Sequence, residues 1–121
     1  MKKRILITDD DEFLTSMYKL SLHQSDREIT LASDGLQAVS LIDKEQPDLL
    51  ILDLLMPKMD GFAVLNHIRE KHYRFPVIIL SNVQDTMDQK KCLELGAKDF
   101  YCKSDTDLDG LVEKVRRFLP A

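Results

Sequence analysis

Tryptophan is missing from the 121 residues, and glycine and proline occur only four times each. No low-complexity segment, internal repeat or linker interrupts the chain. Two cysteines, Cys92 and Cys102, are too few for a disulfide framework and fit a reducing compartment. Long apolar runs are absent too. Met1-Lys2-Lys3-Arg4 has the charge of a signal-peptide start, but only Ile5-Leu6-Ile7 follows before polar and acidic residues, short of the ~7–15 needed. Nothing approaches the ~20 apolar residues of a membrane span. A basic excess is lacking: 17 Lys and Arg stand against 21 Asp and Glu, for a net charge of −4. Without a basic footprint, direct nucleic-acid binding is not expected. A cytoplasmic protein touching neither membrane nor nucleic acid is the expectation.

What is present is the composition of a folded domain, 44% hydrophobic and 31% charged. The length suits one domain, able to bury roughly 65% of its unfolded surface without a staple. Short β-like runs alternate with helical patterns. Strands are expected at Arg4–Thr8, Glu28–Ala32, Asp48–Asp53, Pro76–Ser81 and Lys98–Cys102. Helices are expected at Glu12–Gln24, Leu36–Glu45, Gly61–Lys71, Thr86–Leu95 and Asp107–Leu119. Phe13, Leu14, Met17 and Tyr18 share one face of the first helix; Phe62, Leu65 and Ile68 point inward from the third. Gly96 stops the fourth. Apolar strands such as Leu49-Leu50-Ile51-Leu52 suit a parallel sheet covered on both faces, hence an α/β doubly wound architecture. Ligands of such sheets bind beyond the carboxyl ends of the strands.

At those ends stand Asp9-Asp10-Asp11, Asp53, Ser81 and Lys103. Crowded carboxylates repel one another unless a cation intervenes. Hard oxygen ligands in this number suit Mg²⁺. With an ammonium and a hydroxyl beside them, they make a place to stabilise a phosphoryl group, one carboxylate acting as nucleophile. A single strand-end acid is often only a helix N-cap, and Asp11 fits that role as well as any other. The whole set on one edge points to phosphoryl transfer onto an aspartate.

The segments Ile5-Leu6-Ile7-Thr8-Asp9-Asp10, Leu52-Asp53-Leu54-Leu55-Met56-Pro57-Lys58-Met59-Asp60-Gly61 and Ile79-Leu80-Ser81, with Gly96-Ala97, Phe100 and Lys103, resemble the response-regulator receiver domain of two-component signalling, chemotaxis receivers included. The resemblance implies a flavodoxin-like fold with five helices and strand order 2-1-3-4-5. It implies phosphorylation at Asp53 by a sensor histidine kinase or phosphotransfer protein. Mg²⁺ would be held by Asp9, Asp10, Asp53 and the Leu55 backbone carbonyl. Ser81 and Phe100 would be the switch residues, and Lys103 the phosphate-binding lysine. The readout surface would be 86–119, the last helices and strand five, offered to a downstream effector, an output domain or a second copy in a homodimer. Residues 1–121 would form a single receiver domain carrying no output domain and no enzymatic activity beyond its own phosphorylation and dephosphorylation.

Four positions depart from the family pattern. Thr8 stands for an aliphatic residue, without expected harm, and Phe100 for a frequent Tyr. Asn82 follows the switch hydroxyl where a small residue is commoner, narrowing access to Asp53. Ser104 replaces the proline after Lys103; a cis Lys103–Ser104 bond is expected nonetheless, the alternative being a trans bond with a rearranged loop at 104–106. The resemblance also implies that the side chains at Leu55 and Val83, both apolar here, flank the path of a hydrolytic water, so a long-lived phosphoryl group is expected.

Other signals carry less. Asp105-Thr106-Asp107-Leu108-Asp109-Gly110 opens like a calcium loop, but its twelfth position is Arg116, not Glu. His23, His67 and His72 lack metal-ligand spacing and read as surface residues; Cys102 reads as core. Two other functions compete: a small aspartyl-phosphate phosphatase or phosphotransferase, and a constitutive docking domain. Acids that are adjacent at strand one and the lack of room for a cap weigh against the first. The complete site weighs against the second.

Overall fold

The computed structural model describes residues 2–119; Met1, Pro120 and Ala121, the ends of the expected 1–121 unit, lie outside them. Five strands, β1 (Lys3–Thr8), β2 (Arg27–Ala32), β3 (Leu49–Leu52), β4 (Val77–Ser81) and β5 (Asp99–Cys102), alternate with five helices. These are α1 (Glu12–Leu22), α2 (Gly35–Lys44), α3 (Gly61–Glu70), α4 (Thr86–Glu94) and α5 (Leu108–Phe118), with a single 3₁₀ turn at Lys103–Asp105. All pairings are parallel and the order is β2-β1-β3-β4-β5. The expected architecture is therefore present, with element ends shifted by a residue or two.

Parallel strands with apolar side chains on both faces need cover on both faces. One core layer joins Leu6, Leu50, Leu52 and Ile79 to Ala38 and Ile42 of α2, Val64 and Leu65 of α3 and Cys92 of α4. The other joins Ile7, Ile51, Ile78 and Leu80 to Tyr18 and Leu22 of α1 and Leu111 and Val115 of α5. An aspartate caps every helix start: Asp11, Asp34, Asp60, Asp85 and Asp107 each accept a backbone N–H from the first turn. Asp107 is such a cap, which disposes of the calcium-loop reading there. Gly96 ends α4 in the left-handed region at φ 110°.

Three expectations need correction. Phe13 is 78% exposed, while Thr15 takes the inward position beside Tyr18 and Leu22; the helix presents a narrower buried stripe than its apolar count suggested. His67, expected at the surface, is half-buried there, and Asp43 of α2 binds its Nε2. Cys102 is half-buried, its Sγ 3.1 Å from Ser104 Oγ.

Thr8 carries a cost that the sequence hid. It is 1% exposed, and its Oγ1 has no hydrogen-bond partner among the described residues. Its sheet neighbours, Ala32 and Leu52, are apolar. A buried hydroxyl without a partner costs roughly 1–3 kcal/mol. Thr8→Val keeps the branched shape, so it is expected to stabilise the fold by about 1 kcal/mol, read as a higher urea midpoint. An unchanged or lower midpoint contradicts this.

Two glycines fix the loop that follows β3. A Cβ on Gly35 would sit 2.0 Å from the Met59 carbonyl oxygen, and one on Gly61 would sit 2.4 Å from the Asp53 carbonyl oxygen. The starts of α2 and α3 thus close on the 54–60 segment backbone to backbone. Gly61 N–H also donates to the Leu54 carbonyl at 2.9 Å.

Candidate functional site

β1 and β3 lie side by side in register, Thr8 against Leu52, so the residues that follow each strand emerge together. Asp53 N–H donates to the Thr8 carbonyl at 3.0 Å and carries the pairing one step past β3. Asp9, Asp10 and Asp53 thereby offer carboxylate oxygens within 4.8 Å of one another. Asp9 and Asp53 are buried; Asp10 is exposed.

Among the described residues, one cation reaches this cluster. Lys103, just beyond β5, places its Nζ 2.9 Å from Asp53 Oδ2 and 2.5 Å from Asp9 Oδ2. Burial alone would depress the ammonium, but hydrogen bonds and charge from Asp9 and Asp53 outweigh it and hold the group above its ordinary pKa. Burial pushes the Asp9 carboxyl up, more than Lys103 and the Asp11 N–H draw it down. The other Asp53 oxygen, Oδ1, accepts the Leu54 N–H at 2.7 Å. Three carboxylates facing one ammonium leave an excess of negative charge at a half-open edge. An all-oxygen donor set with room for water fits a divalent cation such as Mg²⁺.

Ser81 ends β4 and is 1% exposed; its Oγ accepts the Val83 N–H at 3.4 Å. Phe100 stands opposite Ile79 in the β4–β5 register and is half-buried against the core layer beneath α2, α3 and α4. Leu55 is 67% exposed. Asp9, Asp10, Asp53, Ser81 and Lys103 therefore stand at the carboxyl-terminal edge of the sheet, Leu55 follows in the loop after β3, and Phe100 lies within β5.

One expectation about this edge changes. No peptide bond among the described residues is cis, so Lys103–Ser104 is trans. The chain turns through the 3₁₀ segment at Lys103–Asp105, and Asn82 Oδ1 accepts the Ser104 N–H at 3.0 Å. Lys103 reaches both acids from this trans backbone, so the ~2.5–4 kcal/mol of a non-proline cis bond is avoided. Asn82 is accordingly a clamp between the loops after β4 and β5, its side-chain oxygen accepting the Ser104 N–H. One further neighbour has no signature in the sequence. Tyr18 of α1 lies 5% exposed near Lys103 and the acids, and burial pushes its hydroxyl up to about 12.

The family model of the response regulator receiver domain matches residues 5–116. The alkaline phosphatase synthesis transcriptional regulatory protein PhoP of Bacillus subtilis is 36% identical over 103 residues, covering 85% of this chain and 43% of that protein. The Regulator of RpoS of Escherichia coli is 35% identical over 113 residues, covering 93% of this chain and 34% of that protein. The chain spans less than half the length of these two relatives. Among solved structures, the CheX–CheY–BeF3–Mg²⁺ complex of Borrelia burgdorferi superposes with a TM-score of 0.87 at 30% identity, covering 98% of this chain and 90% of that one. The response regulator domain of Thermotoga maritima CheB gives 0.86 at 27% identity, over 100% and 98%. Family match, relatives and superposition agree with one another, and the chain belongs to the response-regulator receiver domain family.

Proposed function

We propose that this receiver domain is a phosphorylatable switch whose phosphoryl acceptor is Asp53. The observation that carries this reading is the buried Asp9–Lys103–Asp53 bridge beside Asp10, a site with an oxygen nucleophile and a cation already in place. Mg²⁺, held by Asp9, Asp10, Asp53 and the Leu55 carbonyl, would neutralise charge on the phosphoryl oxygens. An Asp53 oxygen attacks phosphorus while the phosphorus–nitrogen bond of a phosphohistidine donor breaks, the electron pair leaving on the imidazole nitrogen. Lys103 then exchanges a carboxylate oxygen for a phosphoryl oxygen. Ser81 gives up the Val83 N–H and donates its hydroxyl to another, and Phe100 turns into the space behind it.

The donor is a sensor histidine kinase or a phosphotransfer protein. The changed face is built from α4, β5 and α5, and is read by an effector, an output domain or a second copy of the chain. Exposed Met87 and Leu93 supply apolar contact on α4. The domain turns over no external substrate beyond accepting and losing its own phosphoryl group. Among the described residues no helix is long and apolar enough to cross a membrane; the switch operates in the cytoplasm.

Acetyl phosphate with Mg²⁺ should add one phosphoryl group, seen by mass spectrometry and lost in Asp53→Asn. No labelling of the wild type would leave a docking domain; turnover of free phosphate esters would indicate a phosphatase. Equal labelling of Asp53→Asn would move the acceptor elsewhere.

The phosphoryl group should be long-lived. Leu55 and Val83 flank the approach of a hydrolytic water and can neither donate nor accept through their side chains. Positioning and general-base help typically contribute ~10²–10⁴-fold to such a step. Leu55→Asn with Val83→Glu is expected to speed loss of the phosphoryl group at least tenfold, followed by phosphate-affinity gels. Loss within seconds in the wild type, or no acceleration in the variant, contradicts the argument.

A further inference from the structure

The amino-terminal edge of the sheet, opposite Asp53, holds a cavity of about 500 Å³ that the switch reading does not use. It opens where α3 ends, β4 and β5 begin and α4 gives way to Gly96. Its wall is apolar and aromatic: Ile68, Tyr73, Phe75 and Val77 line it. Tyr73 and Phe75 stack with ring centroids 6.1 Å apart and planes 30° apart. The Tyr73 hydroxyl is held by Asp43, donating to Oδ1 at 2.6 Å, and His67 Nε2 meets the same oxygen at 2.8 Å. Its orientation is therefore fixed from the α2 side, and its ring is left to the cavity.

The polar lining is of one sign. Arg69, Arg74 and Lys98 line the cavity, and no Asp or Glu does. None of the three takes part in an ion pair among the described residues. Arg69 suits the negative end of α3, whose last turn it occupies, but Arg74 and Lys98 lie outside that helix and have no such account. Three exposed cations thus gather around one aromatic wall in a chain of net charge −4. At the turn into this wall His72 takes a left-handed backbone, φ 59°. A cavity of this size, mostly apolar with a few convergent polar groups, has the anatomy of a small-molecule site.

We propose that this cavity binds a small organic anion, one with a flat apolar body and a carboxylate or phosphate group. The body stacks on Tyr73 and Phe75, and Arg74 and Lys98 hold the charge. Arg guanidinium matches such oxyanions in bidentate fashion. The site is independent of Asp53, so the domain would receive a chemical signal at one edge of its sheet and a phosphoryl group at the other.

The test uses 2-naphthoate as probe, with 2-naphthalenemethanol as its neutral counterpart and inorganic phosphate as the bare anion. Binding is followed by amide chemical shifts in the ¹⁵N-labelled protein. Saturable shifts at 68–77 and 95–98 are expected with 2-naphthoate, and at least tenfold weaker binding with the alcohol or with phosphate. The double variant Arg74→Glu and Lys98→Glu should weaken 2-naphthoate at least tenfold, while acetyl-phosphate labelling of Asp53 stays unchanged. That labelling also shows the variant to be folded, and its failure in both proteins would count against the switch reading alone. No saturable shift at these segments, equal binding of acid and alcohol, or indifference to the charge reversal would each overturn the proposal.

Discussion

Lys103→Met is expected to tighten Mg²⁺ binding about tenfold and to slow phosphorylation of Asp53 by ~10²–10³-fold. The two effects have opposite signs because Lys103 has two tasks. At rest its ammonium bridges Asp9 and Asp53, both buried, and so competes with any metal for their oxygens. Removing it leaves desolvated negative charge that only a proton or a metal can balance, and Asp9, already raised by burial, rises further. A divalent cation then gains roughly 1.4 kcal/mol for each tenfold in affinity. During transfer the same ammonium should stabilise the phosphoryl oxygens, and loss of one such preorganised donor typically costs ~10²–10³ in rate. Calorimetric titration with MgCl₂ and the initial rate of acetyl-phosphate labelling read the two separately. Unchanged or weaker Mg²⁺ affinity would refute the competition.

Gly61→Ala is expected to destabilise the domain by about 3 kcal/mol, with a thermal midpoint lower by roughly 10 °C. The added methyl would lie 2.4 Å from the Asp53 carbonyl oxygen and 2.8 Å from Leu54 Cα. Both are backbone atoms, so no side chain can rotate away. Either α3 moves off the sheet or the 53–54 backbone shifts, and each displaces the Asp53 carboxylate. Stability and labelling of Asp53 should therefore fall together. Gly96→Ala is the contrast: its Cβ would meet nothing within 4 Å, and only the φ of 110° is strained. It should cost about 1 kcal/mol and leave labelling intact. A Gly61→Ala protein as stable as the wild type would mean the approach of α3 is looser than described.

The sequence foretold the frame well, for physical reasons. Leu49–Leu52 is apolar at every position because helices cover both faces of β3, a pattern that reads directly as a buried parallel strand. The acids at the strand ends were legible because parallel strands deliver their carboxyl ends to one edge. What escaped depends on groups far apart in the chain. Phe13 looked like core, but helical spacing does not say where the stripe's edge falls, and Thr15 fills the inward position. Asn82 became a clamp through Ser104, 22 residues away, a contact without local signature. The same contact holds Lys103–Ser104 in a trans turn where the family habit of proline suggested otherwise. Thr8 looked innocuous because its cost is an unmet hydrogen bond, which only the surroundings reveal.

The place of β1 between β2 and β3 also bears on how the chain is made. β1 leaves the ribosome before either partner, and each partner arrives only after a full helix has been synthesised. Once β3 has docked, its far edge, Leu49–Leu52, is an open and entirely apolar strand until β4 is complete at Ser81. At ~5–20 residues per second that exposure lasts roughly 1.5–6 s, the interval in which the nascent chain is most open to pairing with a neighbour on the same messenger.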